Sequence, residues 1–183
     1  RNAFPVLQRE GFPATIFLAT GYVGRDELPV VRDRSGLRPL DWSQVEEMAR
    51  HDVEMGAHTV SHPELPGLDD AVLRREIRDS KDAIEQRLGR PVTSFCYPRG
   101  RFDDRVEREV DAAGFRLACT TLPGAVAPDS APLRLRRTFI ARDDGPRDFL
   151  HKLAGTWDAL HAAKQRSEEH TSELQSPCNL VCR

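Results

Sequence analysis

The chain has 183 residues, of which 39% are apolar and 31% charged, and its net charge is −2. That is the make-up of one ordinary globular domain with enough apolar material for a core. The balanced charge speaks against a nucleic-acid or anionic-membrane binder, and no apolar run approaches the length of a transmembrane helix.

In chain order, Ala3–Glu10 reads as the end of a helix stopped by Gly11. Ala14–Ala19 is a short β-rich apolar run and so a buried strand. Tyr22–Pro39, rich in Gly, Pro and charge, reads as a loop. Asp41 or Ser43 caps a helix with Trp42, Val45, Met48 and Ala49 on one side, and Val53–His58 is the next strand. A long helix from Asp69 or Asp70 to Leu88 keeps Leu73, Ile77, Ile84 and Leu88 on one face, with Gly89 and Pro91 as its stop. Val92–Tyr97 is then a strand, and Asp103 or Asp104 caps a helix with Val106, Val110 and Ala113 inward, ended by Gly114. Leu117–Thr120 and Arg136–Ile140 are expected strands, and Pro146 opens a last helix toward His161. This alternation implies parallel strands covered by helices, an α/β fold, without choosing between an open sheet and a barrel. A nucleotide-binding sheet is disfavoured, because Gly21-Tyr22-Val23-Gly24 lacks the third glycine and following helix of a phosphate loop.

The ends of the chain need separate treatment. It begins at Arg1, and residues 1–11 lack the charged-then-apolar pattern of a signal peptide. Arginine outnumbers lysine 24 to 3, read here as coding bias with no functional meaning. Arg166–Arg183 has neither a helical nor a strand period and resembles the conceptual translation of a sequencing adapter. The native part is therefore expected to be a fragment, residues 1–165, followed by a non-native tail at 166–183. Cys178, Cys182 and His170 go with the tail, which leaves Cys96 and Cys119 as two buried thiols.

Two polar clusters fall at the C-terminal ends of expected strands, where α/β folds place their sites. In Gly56-Ala57-His58-Thr59-Val60-Ser61-His62-Pro63, two histidines four apart on a turn can aim both rings at one metal. Pro63 disfavours a helical His62, so the pair belongs to a short turn. A bare His-x-x-x-His reads more readily as two polar loop histidines, and a zinc site needs a third ligand that this chain does not obviously supply. In Phe95-Cys96-Tyr97-Pro98-Arg99-Gly100, a strand stops at Pro98 and Gly100 permits a tight turn with backbone N–H groups that could hold an oxyanion. Alone this is ordinary strand-to-loop punctuation.

Together with Phe12-Pro13-Ala14-Thr15-Ile16-Phe17-Leu18, the two clusters resemble in order and spacing the polysaccharide deacetylases, the NodB-homology domain of carbohydrate esterase family 4. The likeness runs from Arg1 to about Leu160. It implies a distorted seven-stranded (β/α) barrel, here incomplete, with parallel strands and outer helices. It also implies a divalent metal, most often zinc, held by two His and an Asp, and hydrolysis of N-acetyl or O-acetyl groups on a polysaccharide. Carried over, His58 and His62 are the metal ligands, and Thr59 braces their turn. Tyr97, Pro98, Arg99 and Gly100 wall the substrate groove, and the Arg99 backbone N–H is the oxyanion donor.

Three departures matter. The Asp-Asp motif that supplies the base and third ligand is expected upstream of Arg1. Cys96 stands where many members have Arg. The last motif, which carries the general acid, is not recognisable, and His161 is a poor candidate for it. Arg137 is a candidate partner for the missing base. The family further implies a bacterial, extracytoplasmic or cell-envelope setting and an acetylated polysaccharide as partner. On this count of parts the chain alone is expected to be inactive. The competing reading is a non-catalytic carbohydrate-binding barrel of the same fold.

Overall fold

The structure, a computed structural model, describes residues 3–26, 38–141 and 143–156. It divides into two units, the first holding residues 3–121 with 128–135 and the second residues 122–127 with 136–156.

In the first unit, helix α1 (Ala3–Glu10) ends at Gly11 in the left-handed conformation, φ 66°, and leads to strand β1 (Ala14–Leu18). Three strands follow, β2 (Val53–Ala57), β3 (Ser94–Cys96) and β4 (Leu117–Cys119), alternating with helices α2 (Trp42–Arg50), α3 (Asp70–Leu88) and α4 (Asp104–Ala112). The strands pair in parallel in the order β1-β2-β3-β4, with Ala14 opposite Val53, Ala57 opposite Phe95 and Cys96 opposite Cys119. Among the described residues the sheet is open, and no strand closes it into a barrel.

Local chemistry decides where the helices start. Of each candidate pair it is the first residue that caps: Asp41 accepts from Gln44 N–H, Asp69 from Val72 N–H and Asp103 from Val106 N–H. One face of the sheet is buried under the helices. Val53, Met55, Phe95 and Ala118 meet Val45 and Met48 of α2, Leu73, Ile77 and Ile84 of α3, and Val106 and Val110 of α4. The residues between them point to the opposite face, where Glu54 accepts hydrogen bonds from Thr15 (3.0 Å) and Ser94 (2.6 Å). Gly56 stands on that face because a Cβ there would lie 2.6 Å from the Phe17 ring.

Two expected strands come out differently. The run Val92–Tyr97 shortens to Ser94–Cys96, because Val92 is satisfied by side chains of α3. Its N–H donates to Glu85 (2.8 Å) and its carbonyl accepts from Lys81 (2.6 Å). Arg136–Ile140 is not a strand. Leu135 alone bridges to Cys119, and the chain then turns its polar groups elsewhere: Arg136 donates to Pro123 O and the Arg137 N–H to Leu122 O. Phe139 and Ile140 are exposed, so no layer exists to reward the alternation. In the second unit, helix α5 (Pro146–Leu153) starts at Gly145, whose N–H donates to Asp148. A buried Lys152 pairs with Asp144 at 2.6 Å. The loop expected at Tyr22–Pro39 is described only in part. The tail 166–183, with His170, Cys178 and Cys182, lies outside the described residues, as does His161.

Candidate functional site

The turn after β2 carries both histidines, and its shape is set by its neighbours. His58 N–H donates to Leu18 O at 2.9 Å, continuing the ladder one residue past the strand. Thr20 N–H then donates to Thr59 O and Gly21 N–H to Val60 O. Gly21 must be glycine, because a Cβ would lie 2.7 Å from the Val60 carbonyl oxygen. Thr59 (φ 67°) and His62 (φ 59°) are both left-handed. For a β-branched residue this is a genuine outlier, and each such residue costs on the order of 1–3 kcal/mol. The surroundings over-determine it. The buried Thr59 hydroxyl accepts from His62 N–H at 3.0 Å, the brace expected from the sequence. Tyr22 OH donates to Ser61 O at 2.8 Å, and the Glu76 carboxylate on α3 accepts from Val60 N–H (2.9 Å), Ser61 N–H (2.9 Å) and the Ser61 hydroxyl (2.6 Å).

The two imidazoles lie 4.7 Å apart, centre to centre, edge to face at 76°. His58 Nδ1 is 2.6 Å from the Cys96 carbonyl oxygen. A carbonyl can only accept, so the proton sits on Nδ1 and Nε2 of the neutral ring keeps its lone pair. Second partners of this kind fix the tautomer of metal-binding histidines. His62 Nδ1 is buried with no protein hydrogen-bond partner. Burial, reinforced by the nearby positive charge of Arg99, holds this ring below the ordinary imidazole pKa. Two adjacent imidazoles, one with an orphaned buried nitrogen, suit two positions of a zinc-type donor set. Among the described residues no third His, Cys, Asp or Glu joins them. A cleft of about 290 Å³ opens beside the pair, bounded by Phe17, Leu18, Tyr22 and Leu40.

The second cluster forms a tight turn beyond β3, with Gly100 N–H donating to Tyr97 O and Arg101 N–H to Pro98 O. Arg99 (φ 55°) and Gly100 (φ 69°) are left-handed, and a Cβ on Gly100 would lie 2.0 Å from Thr121 Oγ1. Tyr97 and Pro98, expected at the groove wall, stand at the base of this turn. Both side chains are fully buried. Tyr97 stacks on Phe102, meets Phe95 edge-on and donates its hydroxyl to Leu133 O, and burial pushes its phenol far above the usual value. An aromatic at the end of a strand under helices is more stable inside the core than on a rim. Arg99 and Gly100 remain at the surface, with the Arg99 guanidinium 2.8 Å from Glu64 and Arg101 at 3.5 Å from the same carboxylate. Cys96 is buried and contributes its backbone carbonyl to His58, while Cys119 is half-buried, and neither is in a disulfide. Arg137 belongs to the second unit.

Sequence reasoning missed Glu76, Tyr22 and Glu64. Glu76 carried a usable signal. It lies three residues after Leu73, at the margin of the buried stripe of α3, where a carboxylate requires polar partners.

The chain also matches known proteins. A model of the family described as polysaccharide deacetylase matches residues 1–118. The chain is similar to the putative polysaccharide deacetylase YxkH of Bacillus subtilis, 29% identical over 141 residues, covering 77% of this chain and 47% of that protein. It is 25% identical over 166 residues to the poly-β-1,6-N-acetyl-D-glucosamine N-deacetylase of Staphylococcus aureus, covering 87% and 54%. The Streptococcus pyogenes deacetylase PplD, solved in complex with acetate, superposes with a TM-score of 0.71 at 26% identity, covering 82% of this chain and 62% of that one. The chain spans about half the length of the curated relatives it matches.

Proposed function

Because the chain belongs to the polysaccharide deacetylase family, we propose that the whole protein hydrolyses acetyl groups on a polysaccharide, with His58 and His62 as two ligands of a divalent metal, most simply zinc. The observation that carries this reading is the prepared histidine pair. His58 has its tautomer set by the Cys96 carbonyl, and His62 presents an unpartnered buried nitrogen beside it. N-acetylated hexosamine polymers are the favoured substrates over O-acetylated ones, by analogy with the N-deacetylases among its relatives. Such polymers lie outside the cytoplasm, so the proposed setting is the bacterial cell envelope.

A bound divalent ion supplies a Lewis acid and lowers the pKa of water. The chain's own residues do the rest of the positioning. The His58 ring is oriented by the Cys96 carbonyl, and the turn sets the His62 ring beside it. The Arg99 N–H, on its left-handed turn, donates to the acetyl oxygen as it gains charge, and Gly100 with Arg99 forms the exposed rim that meets the sugar. Water adds to the acetyl carbon, the carbon–nitrogen bond breaks, the amine takes a proton, and acetate leaves. The general base is assigned to an Asp-Asp motif, and no Asp-Asp pair precedes Ala14 in this sequence.

The test is acetate release from N-acetylglucosamine oligomers and acetylated xylan by the whole protein, with and without a chelator. Chelator-sensitive turnover is expected, and His58→Ala removes most of the bound zinc by metal analysis. Chelator-resistant turnover refutes the metal assignment. A zinc-loaded protein inactive on every acetylated glycan points instead to the carbohydrate-binding reading.

A further inference from the structure

The geometry points to Glu76 as the positioning residue of the histidine pair: its carboxylate on α3 fixes the strained 58–62 turn and so sets the two imidazoles for metal. This rests on the proposed metal role of His58 and His62. The turn cannot hold its shape by local preference, since Thr59 and His62 are both left-handed and neither is glycine. Three donors from two adjacent residues converge on one side chain: Val60 N–H and Ser61 N–H on Oε2, the Ser61 hydroxyl on Oε1, all at 2.6–2.9 Å. Val60 and Ser61 are the two residues that separate Thr59 from His62. Holding their amides therefore fixes the offset between the rings.

The acceptor is ionic, which strengthens each bond relative to a neutral one. It is also rigidly mounted. Leu73 and Ile77, on either side of Glu76 along the helix face, are fully buried, and Asp69 caps the helix start about two turns away. On the opposite side Tyr22 OH holds Ser61 O and Gly21 N–H holds Val60 O, so the turn is clamped from two elements. The clamp from α3 is the one with charge and three donors. The three bonds of Glu76 all go to Val60 and Ser61, so it is expected to act through the turn.

The experiment uses the whole protein and compares Glu76→Gln and Ser61→Ala with Ile84→Ala, which loosens the core far from the turn. Zinc affinity is read by competition with a chromophoric chelator, amide exchange by hydrogen–deuterium exchange of the metal-free protein, and stability by thermal midpoint. Removing a partner that orients a metal ligand typically weakens metal binding by about 10- to 100-fold. That loss is expected for Glu76→Gln, with faster exchange confined to Val60–His62. A smaller loss in the same direction is expected for Ser61→Ala, which keeps two of the three bonds and serves if Glu76→Gln does not fold. Ile84→Ala is expected to lower the midpoint and leave zinc affinity within twofold. Overturning results are a Glu76→Gln affinity within twofold of the parent with unchanged exchange at the turn, or an Ile84→Ala loss as large as that of Glu76→Gln. If the parent takes up no zinc, the metal reading fails and the exchange of Val60 and Ser61 alone decides the Glu76 assignment.

Discussion

Two glycines with nearly the same backbone allow the cost of close approach to be separated from the cost of conformation. Gly89, which ends α3, has φ 66°, and Gly100, in the turn beyond β3, has φ 69°. An alanine at either pays for the left-handed region, roughly 1–2 kcal/mol, offset in part by about 0.4–1 kcal/mol from a stiffer unfolded chain. At Gly89 a Cβ meets nothing within 4 Å, so Gly89→Ala stops there, at about 1 kcal/mol or less. At Gly100 the Cβ would lie 2.0 Å from Thr121 Oγ1 and 2.6 Å from the Thr121 backbone nitrogen. The hydroxyl can rotate away, giving up its 3.3 Å bond to Arg99 O, but the backbone nitrogen cannot. Overpacking of this kind typically adds about 1–3 kcal/mol.

The two variants should therefore differ by about 2 kcal/mol, and Gly100→Ala should be the worse. Urea unfolding at neutral pH reads this directly. At a slope of about 2 kcal/mol per M, the midpoints separate by about 1 M with unchanged slopes. Adding Thr121→Gly to Gly100→Ala should recover only part of the loss, since the nitrogen contact remains. Equal destabilisation by the two single substitutions would refute the close approach of the turn to Thr121, and with it the argument that this position requires glycine for space as well as for φ.

Three further outcomes are expected. Ile84→Ala, which empties a fully buried site between α3 and the sheet, should cost about 2–5 kcal/mol by urea unfolding. Burial works against ionisation of Glu85, but its bonds from Lys81 and the Val92 N–H outweigh it and hold the carboxyl below its ordinary value. That contribution is therefore complete above the unfolded carboxylate pKa of about 4.3 and is lost as pH falls through the lower folded value. Glu85→Gln should then narrow the stability gap between pH 7 and pH 3, and a gap of unchanged size would contradict the assignment. Deleting Arg166–Arg183 should leave the thermal midpoint unchanged, whereas a drop of several degrees would show that the tail belongs to the fold.

What the sequence determined by itself was everything governed by short-range periodicity and capping. The stripe Leu73, Ile77, Ile84 and the Asp69 and Gly89 boundaries of α3 were legible because helix propensity, cap chemistry and burial all act within a few residues. The α/β class followed from alternation alone, and the family from the spacing of His58, His62 and Tyr97–Gly100. Pro63 ruled out a helical His62 through a restriction between adjacent residues, but the left-handed backbone His62 takes is not the extended one that proline favours before it. What failed was whatever depended on a partner far along the chain. Arg136–Ile140 has a strand-like pattern, but a strand exists only where a neighbour offers its edge, and only Leu135 finds one. The enclosure of the Tyr97 ring by Phe95, Phe102 and the Leu133 carbonyl was equally out of reach. The site divides the same way. The histidines themselves could be read from a spacing of four. The Cys96 carbonyl that sets the His58 tautomer lies 38 residues away, and the Glu76 carboxylate that holds the turn lies 15 from Ser61. A hydrogen bond specifies distance and angle between two atoms, and one-dimensional order carries neither once the chain has crossed a helix and returned.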